Sequence, residues 1–340
     1  MQRKSGSATS RKLGELALID QIRRRVSRSS RTSLSLGIGD DCALLRLKPG
    51  EEVAVTTDLS IQGRHFRLNL HPPEAIGHRT LVRGLSDIAA MGARPVAAFL
   101  SLALPLELTQ PPARKGNSWL DSFLDGFLAL ATKHETPLAG GDLAQSPIAL
   151  ADIVLIGAVP RGKALLRSGA RPGDLLYVTG RLGGSAAALK RLSRRSSRKQ
   201  ITDLAPHLWP QPRIAQGLWL RRNNAAAAAI DISDGLSTDL NHLCEESRVS
   251  AEIDAAAIPI FPGATLGDAL HGGEDYELLF TARPGARIPR KIAGVRVTRI
   301  GAIVESRPDT SRIAMIDASG RHAVEPRGWE HFSGTRTRPD

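Results

Sequence analysis

Gly37-Ile38-Gly39-Asp40-Asp41 and, a little further on, Val55-Thr56-Thr57-Asp58 are the stretches on which the reading of this chain turns. Two adjacent aspartates stand behind a glycine-flanked turn, and a third closes a β-branched run that predicts a strand. No lysine or arginine occurs between Thr32 and Leu45 to neutralise the pair. Adjacent like charges repel, and desolvating them is costly unless a cation joins them. Hard divalent cations such as Mg²⁺ take oxygen ligands of this kind. The theme recurs at Ser86-Asp87, Gly140-Gly141-Asp142, Asp231-Ile232-Ser233-Asp234-Gly235 and Gly272-Gly273-Glu274-Asp275. Acids beside glycines at the ends of apolar runs point to metal-bridged phosphate chemistry.

Around these motifs, Leu13, Leu16, Ala17, Ile19 and Ile22 have helical spacing, and residues 34–38 predict a short strand. Val53, Val55 and Thr57 alternate along a strand expected to deliver Asp58 at its end. Pro72-Pro73-Glu74 opens a helix, since proline suits a first turn and an acid suits the positive end of the dipole. Gly92 closes it, which leaves Asp87 in its last two turns. A carboxylate is disfavoured there, so another group must hold it. Residues 95–104 and 148–159 predict strands, 119–131 a helix, and 136–139 lead into Gly140-Gly141-Asp142, a common loop sequence. Several strand pairs lie too close in sequence for parallel crossovers, so the first half is expected to be α+β with a mixed or antiparallel sheet.

A polar, glycine-rich stretch at 160–172 suggests a boundary between domains spanning 13–160 and 173–335. In the second half, residues 175–179, 227–232 and 276–281 predict strands. Helices are expected from Ser185, over 214–222 and over 236–246, the last capped by Ser233 or Asp234. Gly180-Arg181-Leu182-Gly183-Gly184 reads as a plain helix-start loop whose N–H groups could face an anion.

A chain of 340 residues, 41% hydrophobic, can build two cores, and no apolar run approaches the ~18 residues of a membrane span. Two cysteines, Cys42 and Cys244, without metal-ligand spacing suggest a reducing, cytoplasmic setting. Of the net charge of +12, residues 1–12 contribute four units and residues 190–199 contribute six. The excess is therefore peripheral, in a tail expected to be disordered and in a basic loop, and no specific nucleic-acid partner is expected. Aromatics at 4% leave few platforms for stacking bases. P-loop, protein-kinase and nucleophile-elbow signatures are all missing.

Alone, each acidic motif reads as a turn or a helix cap. Together, Gly37–Asp41, Thr56-Thr57-Asp58 with Gly63 and His65-Phe66, the run from Leu85 to Ala93, Gly140-Gly141-Asp142, Arg167-Ser168-Gly169-Ala170, the run from Asp231 to Leu236 and the run from Gly272 to Leu278 resemble the thiamine-monophosphate kinase family. The resemblance runs from about Gly14 to Phe332. It implies the two-domain aminoimidazole-ribonucleotide-synthetase-like fold with an α/β sandwich for the second half, a homodimer formed through the N-terminal sheet, and a site between domains that draws on both subunits. It implies several Mg²⁺ ions on Asp41, Thr56, Thr57, Asp58, Asp87, Asp142, Asp231 and Asp234, with Asp40 in support. ATP, the co-substrate, would meet Gly141, Asp142, Arg167 and Ser233; thiamine monophosphate would meet His65, Glu274 and Trp329. Leu143-Ala144-Gln145, Gly84 and Arg64 depart from the family pattern. Two rival readings stand beside this one, another ATP-dependent enzyme of the superfamily and a polyanion-binding protein using the basic tail and loop.

Overall fold

The computed structural model describes residues 14–26, 33–111, 116–193, 204–306 and 311–329. The basic tail, residues 194–199 of the basic loop and residues 330–335 of the expected second domain lie outside the described residues. Helix α1 (Glu15–Val26) buries only Leu18 and Ile22, one i, i+4 line, while Leu16 on the expected apolar face is 81% exposed. The aspartate pair lies in the turn between β1 (Leu34–Leu36) and β2 (Leu44–Leu45). β3 (Glu51–Ile61) follows, then α2 (Pro73–Ala90), β4 (Arg94–Leu104), the short α3 (Leu106–Thr109), α4 (Trp119–Lys133), β5 (Leu138–Gln145) and β6 (Leu150–Pro160). The sheet order is β3-β6-β4-β5, antiparallel except for β4–β5, so it is mixed as expected.

Two local expectations change. β3 pairs with β6 along its whole length, so the strand runs three residues past Asp58. Gly140-Gly141-Asp142 is part of β5, paired with Phe99, Leu100 and Ser101, and is not a loop. A Cβ on Gly141 would stand 1.8 Å from the Leu100 carbonyl oxygen, so only glycine lets the strands approach there.

The second half contains β7 (Leu175–Thr179), α5 (Gly184–Ser193), α6 (Ala205–Leu208), α7 (Ile214–Arg222), β8 (Ala228–Ile232), α8 (Leu236–Ser247), β9 (Ser250–Asp254), α9 (Leu266–His271), β10 (Glu277–Ala282), β11 (Lys291–Ile292), β12 (Val295–Val304), β13 (Ile313–Asp317) and β14 (Gly320–Ala323). Its sheet has the order β14-β13-β9-β12-β7-β10-β8, with β11 attached to β12.

Helix α2 joins the halves. It crosses α4 so closely that a Cβ on Gly77 or Gly126 would meet backbone at 1.9 or 1.8 Å. On its other flank a Cβ on Gly217 of α7 would stand 1.9 Å from the Ala89 carbonyl. One core runs through it, from Leu81, Leu85, Phe123 and Phe127 to Ile214, Leu220 and Phe280. Each such side chain, fully buried, contributes about 1.5–3 kcal/mol. This helix sets the two halves in register.

Candidate active site

Arg79, Arg83, Ser86 and Asp87 occupy helical positions i, i+4, i+7 and i+8 of α2, a polar stripe along a helix that also buries Ile76, Leu81, Val82, Leu85 and Ile88. The stripe meets β3 on one side and the ends of β8 and β10 on the other. Thr56 of β3 donates its hydroxyl hydrogen bond to Asp87 Oδ2. Ser86 Oγ donates to Asp231 Oδ2 of β8 at 2.6 Å. Arg83 donates from Nε and Nη2 to Asp58 Oδ1, at 3.2 and 3.0 Å. Three carboxylates from β3, α2 and β8 thus converge.

Their charges are felt. Burial raises the Asp87 carboxyl above its ordinary range, and the charges of Asp231 and Asp58 raise it further, against the pull of Thr56 and Arg167. Burial raises Asp231 as well, with Asp58 adding and Ser86 and Arg167 opposing. What holds Asp87 at the unfavourable end of its helix is therefore a β3 hydroxyl, with Arg167 within electrostatic reach. Among the described residues no trio of His, Cys, Asp and Glu side chains is gathered tightly enough to cage an ion. The donor chemistry nevertheless fits Mg²⁺: oxygen ligands only, buried, and mutually repelling until a cation arrives.

Other residues singled out by sequence lie elsewhere. Thr57 alternates away from Thr56 and Asp58, onto the sheet face shared by Val154 and Phe99, and Asp142 opposite Ser101 shares that face. The structure does not bring Thr57 or Asp142 to the Asp58–Asp87–Asp231 group. Gly141 stays beside Asp142 within β5. Asp40 and Asp41 are exposed on their turn, where Asp41 N donates to Asp40 Oδ1 at 3.0 Å. A guanidinium from α1 packs against this turn: a Cβ on Gly39 would lie 2.6 Å from the Arg23 guanidinium carbon. Sequence distance hid that neighbour.

The loop Arg167-Ser168-Gly169-Ala170 is fastened by the Ser247 hydroxyl, which donates to the Arg167 carbonyl at 2.8 Å and accepts from Gly169 N and Ala170 N. The glycine loop before α5 does turn its N–H groups to an acidic side chain, but an internal one. Asp275 accepts from Gly183 N at 2.6 Å and Ser185 N at 3.1 Å. Helix α8 has Gly235 at its N-cap and no side-chain cap of its own there, so neither Ser233 nor Asp234 caps it. Instead Asp239, one turn inside the helix, turns Oδ2 back to accept from Ser233 N, Asp234 N and Gly235 N at 3.1, 3.1 and 3.0 Å. That single oxygen fixes the whole turn. Burial and the charges of Asp231 and Asp234 push the Asp239 carboxyl up, and the N–H donors pull against them.

The same turn reaches Glu274, whose N donates to the Ser233 carbonyl at 2.7 Å, and Trp329, whose N donates to the Asp234 carbonyl at 3.2 Å. Glu274 sits at φ +68°, a conformation rare outside glycine and asparagine. Arg79 holds it: Nη2 donates to Glu274 Oε1 at 2.6 Å and to the His65 carbonyl at 3.2 Å, while Nη1 donates to the His207 carbonyl at 2.6 Å. His207 Nδ1 lies 3.6 Å from Glu274 Oε2. Burial would raise the Glu274 carboxyl, yet Arg79, His207 and Arg83 outweigh it and hold the group well below its usual range. His65, Phe66, Arg79 and Arg83 line a small pocket beside it. Arg79, Arg83 and Asp239 were missed in sequence, although two arginines four apart in an apolar helix were a visible signal.

Two family models match the chain, AIR synthase related protein N-terminal domain over 39–162 and its C-terminal domain over 171–313. A thiamine-monophosphate kinase of Escherichia coli (strain K12) is 39% identical over 336 residues, covering 94% of this chain and 98% of that protein. This chain belongs to the thiamine-monophosphate kinase family. Among solved relatives, thiamine-monophosphate kinase from Stenotrophomonas maltophilia K279a superposes with a TM-score of 0.76 at 37% identity, over 89% of this chain and 96% of that one. AaThiL complexed with AMPPCP and TMP superposes with a TM-score of 0.72 at 31% identity, over 96% of this chain and 100% of that one.

Proposed function

We propose that this thiamine-monophosphate kinase family member transfers the γ-phosphoryl group of ATP to thiamine monophosphate, giving ADP and thiamine diphosphate. The observation that carries the reading is the meeting of Asp58, Asp87 and Asp231 beside Arg167 and next to the Arg79–Glu274 pair. The nucleophile would be a substrate phosphate oxygen, whose second pKa of about 6 leaves it largely anionic at neutral pH. No general base is then needed, and transfer would be direct and in line.

Asp58, Asp87 and Asp231 would hold Mg²⁺, with Asp41, Thr56, Thr57, Asp142 and Asp234 as further oxygen donors. Bound Mg²⁺ supplies the positive charge that lets an anionic acceptor approach an anionic triphosphate. Arg167 would bind the triphosphate, with Ser233, Gly141 and Asp142 as further nucleotide contacts. Glu274 stays ionised across the neutral range and so complements a cationic thiazolium. His65 stands beside it, and the face of Trp329 would meet a ring of the substrate.

A homodimer fits the open face of β3, where Val53, Val55 and Leu59 are 54, 59 and 42% exposed. Covering that row with a second copy would also enclose Thr57 and Asp142, which share the face. Two free thiols suit the cytoplasm as the place of reaction.

The test is incubation of purified protein with Mg²⁺-ATP and thiamine monophosphate, with free thiamine as control. Thiamine diphosphate should form only from the monophosphate, and Asp58→Asn should abolish it. Product from neither substrate, or from free thiamine alone, would refute the proposal.

A further inference from the structure

Arg83 bridges the two acids that the proposed reaction assigns to different tasks. Nε and Nη2 both donate to one oxygen of Asp58, at 3.2 and 3.0 Å, and Nη1 lies 4.0 Å from Glu274 Oε1. All three side chains are mostly buried, at 18, 22 and 17% exposed. Glu274 already has Arg79 at 2.6 Å and His207 at 3.6 Å, whereas Asp58 has no cationic partner among the described ion pairs other than Arg83. The positive charge held against Asp58 is thus a guanidinium carried by α2.

We infer that Arg83 is a built-in counter-cation that weakens divalent metal at Asp58, so that the site fills when metal arrives together with the nucleotide and not before. The physical reason is charge repulsion. A guanidinium held against a carboxylate already neutralises much of its attraction, and a divalent ion at the same carboxylate is repelled in a half-buried, poorly screened setting. The triphosphate brings the extra negative charge that tips the balance back toward metal. Arg83 acts here through Asp58, as a positioning and charge-setting residue. The inference rests on the proposed placement of metal at Asp58.

Direct titration with Mn²⁺, read by electron paramagnetic resonance of the free ion, tests it on the intact chain without nucleotide. Arg83→Gln should bind Mn²⁺ roughly tenfold or more tightly than wild type, the lower end of what one unit charge does at such a distance. Arg83→Lys keeps the charge and should stay within about twofold of wild type. With a non-hydrolysable ATP analogue present, the gap between wild type and Arg83→Gln should narrow. Thermal melts and circular dichroism identify the folded variants; if Arg83→Gln fails to fold, Arg83→Met takes its place. Unchanged or weaker Mn²⁺ binding in a folded neutral variant, or equal gains in Arg83→Gln and Arg83→Lys, would overturn the inference. The Mn²⁺ titration reads this point whether or not thiamine diphosphate forms, so failure of the kinase assay and failure of the Arg83 inference are told apart.

Discussion

Arg79→Met should cost about 3 kcal/mol of folding stability, at the low end of the 3–5 kcal/mol typical when one partner of a buried ion pair is removed. The Arg79 side chain is 6% exposed and that of Glu274 is 17%, so water cannot readily replace the lost partner. One guanidinium supplies three charge-assisted bonds, to Glu274 Oε1 at 2.6 Å, the His207 carbonyl at 2.6 Å and the His65 carbonyl at 3.2 Å. At about 1.5–3 kcal/mol each in gross terms these would exceed 3 kcal/mol. The figure is lower because His207 at 3.6 Å and Arg83 at 4.0 Å remain near Glu274. Urea unfolding followed by circular dichroism reads the change as a lower midpoint at constant slope. The sign with pH follows from Glu274. Its carboxyl is depressed in the folded state, so its stabilisation is present above the ordinary value of 4.5 and is lost as pH falls below it. Without Arg79 the buried Glu274 takes up a proton more readily, so the deficit should shrink in acid. Adding Glu274→Gln to Arg79→Met should cost about 1–2 kcal/mol less than the sum of the single changes. A loss below about 1 kcal/mol, or strict additivity in the double variant, would show that the pair behaves as a surface ion pair and that the reasoning is wrong.

Iodoacetamide should label one thiol in the native protein and both after denaturation, since Cys42 is exposed whereas burial pushes the Cys244 thiol up to about 12; intact mass counts the adducts. Gly126→Ala should destabilise by about 1–3 kcal/mol in urea, despite alanine's better helix propensity, because its Cβ would meet the Glu74 carbonyl at 1.8 Å. Mg²⁺ should raise the melting temperature more at about pH 8 than at about pH 5.5. Asp87 and Asp231 are raised in the folded state, so their penalty is absent in acid and grows as pH rises to neutral, where a cation removes most. Equal shifts at both pH values would contradict that.

Legibility from sequence followed the range of each interaction. The ends of α2, the bounds of β7 and α7 and the acid-plus-glycine motifs depend on residues within a turn or two, and these were readable. Two failures were also local but need a partner to resolve. Gly140-Gly141-Asp142 has turn composition, yet pairing with β4 makes it strand. The start of α8 has two good capping residues before it, yet a carboxylate from inside the helix satisfies the same amides. The site itself divides along the same line. Resemblance supplied Asp58, Asp87 and Asp231 as a set, but only the folded chain shows each with its own donor, from Arg83, Thr56 and Ser86.

Strand alternation then separates neighbours that sequence joins: Thr56 faces α2, and Thr57 faces the open side with Val55 and Leu59. If both threonines serve one reaction, the open side cannot remain solvent. A homodimer through β3 would account for both the exposed apolar row and the placement of Thr57 and Asp142. A single copy gathers Asp58, Asp87 and Asp231 beside α2 and leaves Thr57 and Asp142 on a sheet face where Val53, Val55 and Leu59 are exposed. Association through β3 would then be a condition of assembling the site, so activity should fall on dilution in step with the loss of dimer.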